Sequence, residues 1–418
     1  MTDASHNAAG SEELRCPVNS RAGADALAVT LMLLLAVTGL GLSLMPVVAD
    51  QLKADFGYSE SQIGLLTSVF MFTLGAAAIP SGMAAARWGG RLLFLGLGFL
   101  AVGSVLFALS GSYGWFIGGR LLQGVGAGVI VPAASAVIAD SIALQFRGRA
   151  WGIFGTGHGV GVVVALLLMP SIAGVGGYRA VFLATAGLCA VVGAIALVQA
   201  TVRVKPTHCA EVVEARALLG ALRAVVANRR VLLLSLFNVA ALAVGVSALV
   251  WTPTFLQAEF GASLGVSAYL TAGLGVAQLV GNPIGAVAMG RWGKLAVIFF
   301  CMSLMTVFVA LIPFLPGLWL VFVFVTFTGF LTMAFFSPVF ASIAEVVEKP
   351  EQVGAATGLL EIFGFSGALL APWLFGLFLD GLGEHGGYVA GYLLLAAFGA
   401  VATVGTAFFK LPRGRRPG

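Results

Sequence analysis

Charge is what this sequence has least of. Asp, Glu, Lys and Arg together make up 9% of its 418 residues, against roughly 25% in soluble globular domains. A water-soluble fold could not cover its surface with so few charges, so the bulk solvent expected for most of the chain is lipid. Cysteine is scarce as well. Cys16, Cys189, Cys209 and Cys301 show no paired spacing, which argues against a disulfide framework or a metal site. No Walker sequence is present, and no Gly-x-Gly pattern follows a predicted strand. Direct ATP drive and dinucleotide binding within this chain are therefore excluded, and no cofactor is expected. The basic excess, net +5, is scattered in ones and twos between apolar runs, which is membrane topology rather than a nucleic-acid surface. No cleavable leader is expected, since the first apolar run, 26–49, is too long for a signal core.

What fills the sequence is hydrophobic length. Sixty per cent of the residues are apolar, the mean hydropathy is +1.04 and glycine occurs 57 times, the small-residue richness that lets membrane helices pack closely. A span needs about 20 apolar residues. Twelve such runs are predicted, at 26–49, 63–84, 92–110, 115–138, 150–172, 181–201, 231–254, 267–289, 295–315, 318–343, 354–379 and 388–409. One long polar connection, 202–230, divides them six and six. The expected organisation is a cytoplasmic tail (1–25), a six-helix bundle (26–201), a cytoplasmic linker (202–230), a second six-helix bundle (231–409) and a basic tail (410–418). If both termini lie inside, 19 of the 22 basic residues fall on the inner side, and the positive-inside rule fixes that orientation.

The two halves echo each other. Leu52-Lys-Ala-Asp55-Phe56-Gly57 returns as Leu256-Gln-Ala-Glu259-Phe260-Gly261, 204 positions later. "PSGMAAARWGGRLLFL" at 80–95 returns as "PIGAVAMGRWGKLAVI" at 283–298, with Arg87-Trp88-Gly89 and Arg291-Trp292-Gly293 at the same offset. An ordered set of matches at nearly constant offset indicates duplication. Two parallel repeats predict a pseudo-two-fold axis along the membrane normal, with a substrate path between them.

On these residues the chain resembles the major facilitator superfamily over essentially its whole length. The family's inter-helix motif, Gly-x-x-x-Asp-Arg-x-Gly-Arg-Arg/Lys, is matched by Gly82, Arg87, Gly89 and Arg91, and partly again by Arg291 and Gly293. Its fourth-span motif, Arg-x-x-Gln-Gly-x-Gly-Ala, is matched by Arg120, Gln123, Gly124, Gly126 and Ala127. The acid of the first motif is missing, being Ala86 in one copy and Gly290 in the other. The Gly-Pro signature of antiporters is absent from the fifth span. The resemblance implies an all-α integral membrane protein of twelve helices and transport by alternating access. It also implies that Gly82, Arg87, Gly89, Arg91, Arg291 and Gly293 act as a conformational switch. The physical alternative is that these arginines only mark topology and complement the carbonyl ends of helices.

Ionisable groups inside a span are functional candidates by default, since each costs at least ~2.5–3.5 kcal/mol on insertion scales. Arg120 is a candidate for substrate or proton handling, with snorkelling or bonding to a neighbouring helix's carbonyls as the alternative. Glu361, the only acid well inside a span, and His158, in "GTGHGVG", are candidates for proton coupling; wet structural and packing roles compete. Gln123, Asn238, Trp251, Gln278 and Asn282 are candidate substrate contacts, each weighed against an interhelical hydrogen bond. Asp140, Glu345 and Asp380 fall at span ends, where solvated capping is expected. The reading favoured is a monomeric inner-membrane symporter, not an enzyme, taking up a small organic anion with protons. Efflux of hydrophobic drugs, for which Trp251, Phe335 and Phe336 offer aromatic surface, and a flux-free membrane sensor are the alternatives.

Overall fold

The computed structural model describes residues 20–88, 90–203, 225–347 and 352–409. Most of the expected tails, most of the linker, Gly89 and the Arg87 side chain lie outside the described residues. All regular structure among the described residues is helical. Helices α1 (Arg21–Leu42), α2 (Met45–Phe56), α3 (Glu60–Trp88), α4 (Arg91–Leu109), α5 (Tyr113–Ser141) and α6 (Leu144–Arg203) form the first half. The second half comprises α7 (Arg229–Phe260), α8 (Leu264–Trp292), α9 (Lys294–Leu311), α10 (Leu318–Ala334), α11 (Phe336–Val346) and α12 (Gln352–Phe408).

Ten of the described helical segments are long and apolar enough to cross a membrane. Two of them, 145–199 and 356–408, each contain two of the twelve predicted runs. No loop separates the paired runs, because a glycine makes the turn inside the helix. Gly177 (φ 64°) breaks α6 and Gly383 (φ 74°) breaks α12, in a region of φ that side chains with a Cβ avoid. The first predicted run is itself interrupted between α1 and α2. Pro46 has no N–H to offer the Leu42 carbonyl, and the Ser43 hydroxyl folds back onto the Gly39 carbonyl at 2.9 Å.

The duplication is visible in three dimensions. Helices α3 and α8 are each 29 residues long and begin and end 204 positions apart. Gly57 (φ 68°) closes α2 and Gly261 (φ 62°) closes α7 with the same left-handed cap, and the two breaks, at Gly177 and Gly383, are 206 apart. Arg-Trp-Gly marks the same turn in both halves, with Trp88 and Trp292 exposed, as suits indole at a headgroup layer. The second copy is tied down by Lys294, which reaches Glu345 at 2.5 Å and the Ala341 carbonyl at 2.9 Å. Glu345, expected to be a solvated cap, is thus an ion-pair partner; its counterpart Asp140 has no described side chain. Within each half, α1 packs on α6, α5 on α3 and α4, α7 on α12, and α8 on α10. The halves meet along two main seams, α3 with α12 and α6 with α8, and α2 also touches α7 and α8.

Candidate functional site: the seams between the halves

Helix α3 runs against α12 through small residues. A Cβ on Gly376 would stand 2.6 Å from the Glu60 carbonyl oxygen, one on Gly64 2.5 Å from the Pro372 oxygen, and one on Gly75 2.9 Å from the Phe365 ring. Between these, the Ser68 hydroxyl donates to the Leu369 carbonyl. Helix α6 meets α8 in the same manner. A Cβ on Gly159 would lie 2.5 Å from a Leu279 methyl, and one on Gly275 2.8 Å from Val162. The two seams are copies: Gly75 faces Phe365, while Leu279, 204 positions after Gly75, faces Gly159, 206 before Phe365. Glycine has changed sides, so each seam has one glycine facing one large side chain at the same depth.

The seam polar groups sit near this midpoint. His158, one residue before Gly159, lies against the Gln278 amide across the α6–α8 seam, while Gln278 Oε1 is buried with no partner at hydrogen-bonding geometry. Glu361 is half-buried. It continues by one turn the α12 stripe of Phe365, Leu369, Pro372 and Gly376 that faces α3. Asn282 is exposed and accepts on its carbonyl from the Ser337 hydroxyl at 3.1 Å.

Four other sequence candidates make their hydrogen bonds within their own halves, Arg120 and Gln123 in the first and Asn238 and Trp251 in the second. Arg120 is fully buried. Its Nε donates to the Leu66 carbonyl at 3.1 Å, and one terminal nitrogen donates to the Gly41 carbonyl at 2.8 Å and to Gln123 Oε1 at 2.9 Å. The guanidinium also lies 4.5 Å from the Phe70 ring centroid, a cation–π geometry. Gly41 stands immediately before the α1–α2 break, so Arg120 braces a carbonyl where the helix is interrupted. Gln123 passes the chain of bonds on, donating to Ser104 at 2.8 Å. These two residues therefore knit α1, α3, α4 and α5 together, which is the carbonyl-bonding alternative raised from sequence. Only the second terminal nitrogen of Arg120 is without a partner.

Asn238 donates to the Leu360 carbonyl at 3.0 Å, joining α7 to α12, and its Oδ1 is unpartnered. Trp251 donates from its indole N–H to the Pro372 carbonyl at 3.1 Å and stacks on Phe375. Its ring edge lies 3.1 Å from the Cβ position of Gly64, so it forms the floor against which α3 rests. Arg91, Gly82, Arg291 and Gly293 are exposed at the turns near the chain termini. Among the described residues no group of three or more His, Cys, Asp or Glu side chains could hold a metal ion.

Sequence reasoning passed over Gly64, Ser68 and Gly376. Their small-residue spacing, Gly64-x-x-x-Ser68, is the recognised signal for close helix approach, but it is hard to single out among 57 glycines.

Two helical halves of common plan, packed through paired glycine seams with few polar groups between them, define a polytopic α-helical membrane protein. The model of the Major Facilitator Superfamily matches residues 30–281 and 239–418, and the chain belongs to that family. Among curated relatives, it is 35% identical over 150 residues to "Inner membrane transport protein YajR" of Escherichia coli (strain K12). That match covers 34% of this chain and 33% of the relative. It is 29% identical over 133 residues to the "Probable L-galactonate transporter" of the same organism, covering 32% and 29%. It is 34% identical over 130 residues to "Probable anion transporter 6, chloroplastic" of Arabidopsis thaliana, covering 31% and 25%. The matched segments thus span about a third or less of these relatives. Among solved structures, a bacterial homologue of the human lysosomal transporter Spinster, inward-facing and occupied, superposes with a TM-score of 0.77 at 18% identity, covering 93% of this chain and 97% of that one. A point mutant of the nucleoside transporter NupG gives 0.78 at 14% identity, over 93% and 100%. At these identities the likeness is one of fold. The chain is a multi-pass membrane transporter.

Proposed function

We propose that this protein takes up a small organic anion together with protons, by alternating access of a path between its two halves. The observation that carries the reading is Glu361. It lies one turn before Phe365, close to the seam midpoint on the α12 stripe toward α3, half-buried, with no hydrogen bond or ion pair among the described residues. A carboxyl group without a fixed counter-ion in such a setting is able to take up and release a proton as its surroundings change. His158, against Gln278 in the opposite seam, is the second titratable group at that depth. The anion assignment is supported by relatives named as anion and L-galactonate transporters, each matched over about a third of this chain. Residues 26–201 and 231–409 act as the two rocking units, in a monomer. The termini face the cytoplasm of a bacterial-type inner membrane, as the distribution of basic residues favours.

Reconstitution into proteoliposomes tests this. An imposed inward proton gradient accelerates uptake of small carboxylates, and the Glu361→Gln variant loses that acceleration while keeping substrate exchange. Gradient dependence retained in the variant would falsify the role of Glu361. Export of hydrophobic cations in place of carboxylate uptake would overturn the anion assignment.

A further inference from the structure

Helix α3 begins at the end of the molecule away from the chain termini. It carries its own capping pair, with the Gln62 side chain accepting from the Ser59 N–H at 2.9 Å and the Gln62 N–H donating to the Ser59 hydroxyl at 3.3 Å. That leaves the N–H groups of Glu60 and Ser61, at the positive end of the helix dipole. Both are taken by one carboxylate from the other half: Glu60 N–H donates to Asp380 Oδ1 at 2.8 Å and Ser61 N–H to Oδ2 at 3.0 Å. Asp380 stands three residues before the glycine that breaks α12, and Gly376, one turn earlier, brings the two backbones together.

The duplicated helix lacks this arrangement. Helix α8 starts with Ser263, equivalent to Ser59, which caps the Val266 N–H at 3.3 Å. The position in α6 equivalent to Asp380, 206 residues earlier, is Gly174. The surroundings of the Asp380 contact are acidic, with Asp50, Glu60 and Asp380 sharing one cation, Lys53. Glu60 in the first turn of α3 is neutralised by Lys53 at 2.8 Å, which also holds Asp50 at 2.9 Å. The Ser59 and Ser61 side chains also lie within hydrogen-bonding reach of Asp380.

We infer that Asp380 is a latch between the halves: it caps α3 in trans, holds the end away from the termini closed, and must release before that end can open. A cap within one helix persists in both states and cannot bias them. A cap donated across the seam exists only when the seam is shut, so its whole contribution falls on the opening equilibrium. The inference rests on the alternating-access reading, and its test separates the two.

Spin labels are placed on exposed Ser112 of the first half and Glu384 of the second, after replacement of Cys16 and Cys209 by alanine; Cys189 and Cys301 are buried. Double electron–electron resonance on the full-length protein in nanodiscs should show a short and a long separation. Asp380→Ala should raise the long-to-short ratio about fivefold, the population equivalent of a helix cap of about 1 kcal/mol. Asp380→Asn, which keeps an acceptor but not the charge, should give a smaller rise. Ser263→Ala, which removes a cap made within one half, should give none. An unchanged ratio in Asp380→Ala, or an equal rise in Ser263→Ala, overturns the latch while leaving alternating access standing. One invariant separation in the parent and all variants overturns alternating access and the latch with it.

Discussion

Arg120 in the first half has Phe324 as its partner by position in the second, 204 residues on. Around Arg120, four helices are joined by hydrogen bonds to carbonyls and to Gln123. Around Phe324 the packing is aromatic, with Phe308 4.9 Å away between ring centroids. The same contrast recurs elsewhere. Helix α1 is interrupted near Ser43, and the neighbouring Gly41 carbonyl is braced by the arginine; α7 continues unbroken past the equivalent Ser247. At the seams, Gly64 of α3 meets backbone and indole, whereas the equivalent residue of α8 is already Ala268. A duplicated plan therefore carries two different solutions. Close backbone approach through glycine is common to both halves, but the first half places a buried polar hub where the second packs aromatic side chains. The lesson is that pseudo-symmetry of the backbone does not imply equivalence of energetic roles.

The sharpest way to break this comparison is at its hub. Arg120→Met removes the donors to Gly41, Leu66 and Gln123 together; the Leu66 carbonyl keeps its helical partner, but the Gly41 carbonyl beside the break and the Gln123 amide oxygen are left short of a donor at about 1–3 kcal/mol each. Loss of at least about 3 kcal/mol is expected, read as a large fall in thermal-unfolding midpoint in detergent. Phe324→Met, the matched change in the second half, should cost under about 1.5 kcal/mol, as volume-conserving core swaps do. Equal losses would remove the distinction between a polar and an aromatic half.

Seam glycines give the next effect. Gly64→Ala places a methyl 2.5 Å from the Pro372 carbonyl. Backbone cannot step aside as a side chain can, so overpacking of about 1–3 kcal/mol is expected. Gly159→Ala meets the far end of the Leu279 side chain at 2.5 Å, which can rotate away, and the Gly275 carbonyl oxygen only at 3.0 Å, so it should cost less. A thermal-shift series on both variants decides whether the α3–α12 seam is the tighter one.

The smallest expected effect lies at mid-depth. Gln278→Leu removes a buried oxygen that has no partner together with the amide's contact to His158; the two changes oppose each other, so stability should change by less than about 1 kcal/mol. Transport should nevertheless fall if the amide serves His158 during the cycle. A strongly destabilised variant would show instead that Gln278 is a packing residue.

Much of the fold was legible beforehand. Hydrophobic runs of bilayer length, the offset of 204 and the paired Arg-Trp-Gly turns follow from chemistry that acts locally along the chain. Less of the site was legible. Arg120, Asn238 and Trp251 stood out because polar groups in lipid need partners, but the identity of those partners was not written near them. Leu66 and Gly41 lie 54 and 79 residues from Arg120, and a carbonyl oxygen belongs to every residue alike. Asp380 read as an ordinary solvated helix end, since nothing nearby in sequence distinguishes a carboxylate facing water from one facing another helix's N–H groups.

The sequence by itself determined the solvent, the helical class, the repeat and the short catalogue of groups that lipid makes costly. The tertiary structure decided which of those groups look across the seams and which are bonded within a half. Lipid imposes its demands on each segment separately, while a hydrogen-bond partner some 320 residues away is chosen only when the helices pack.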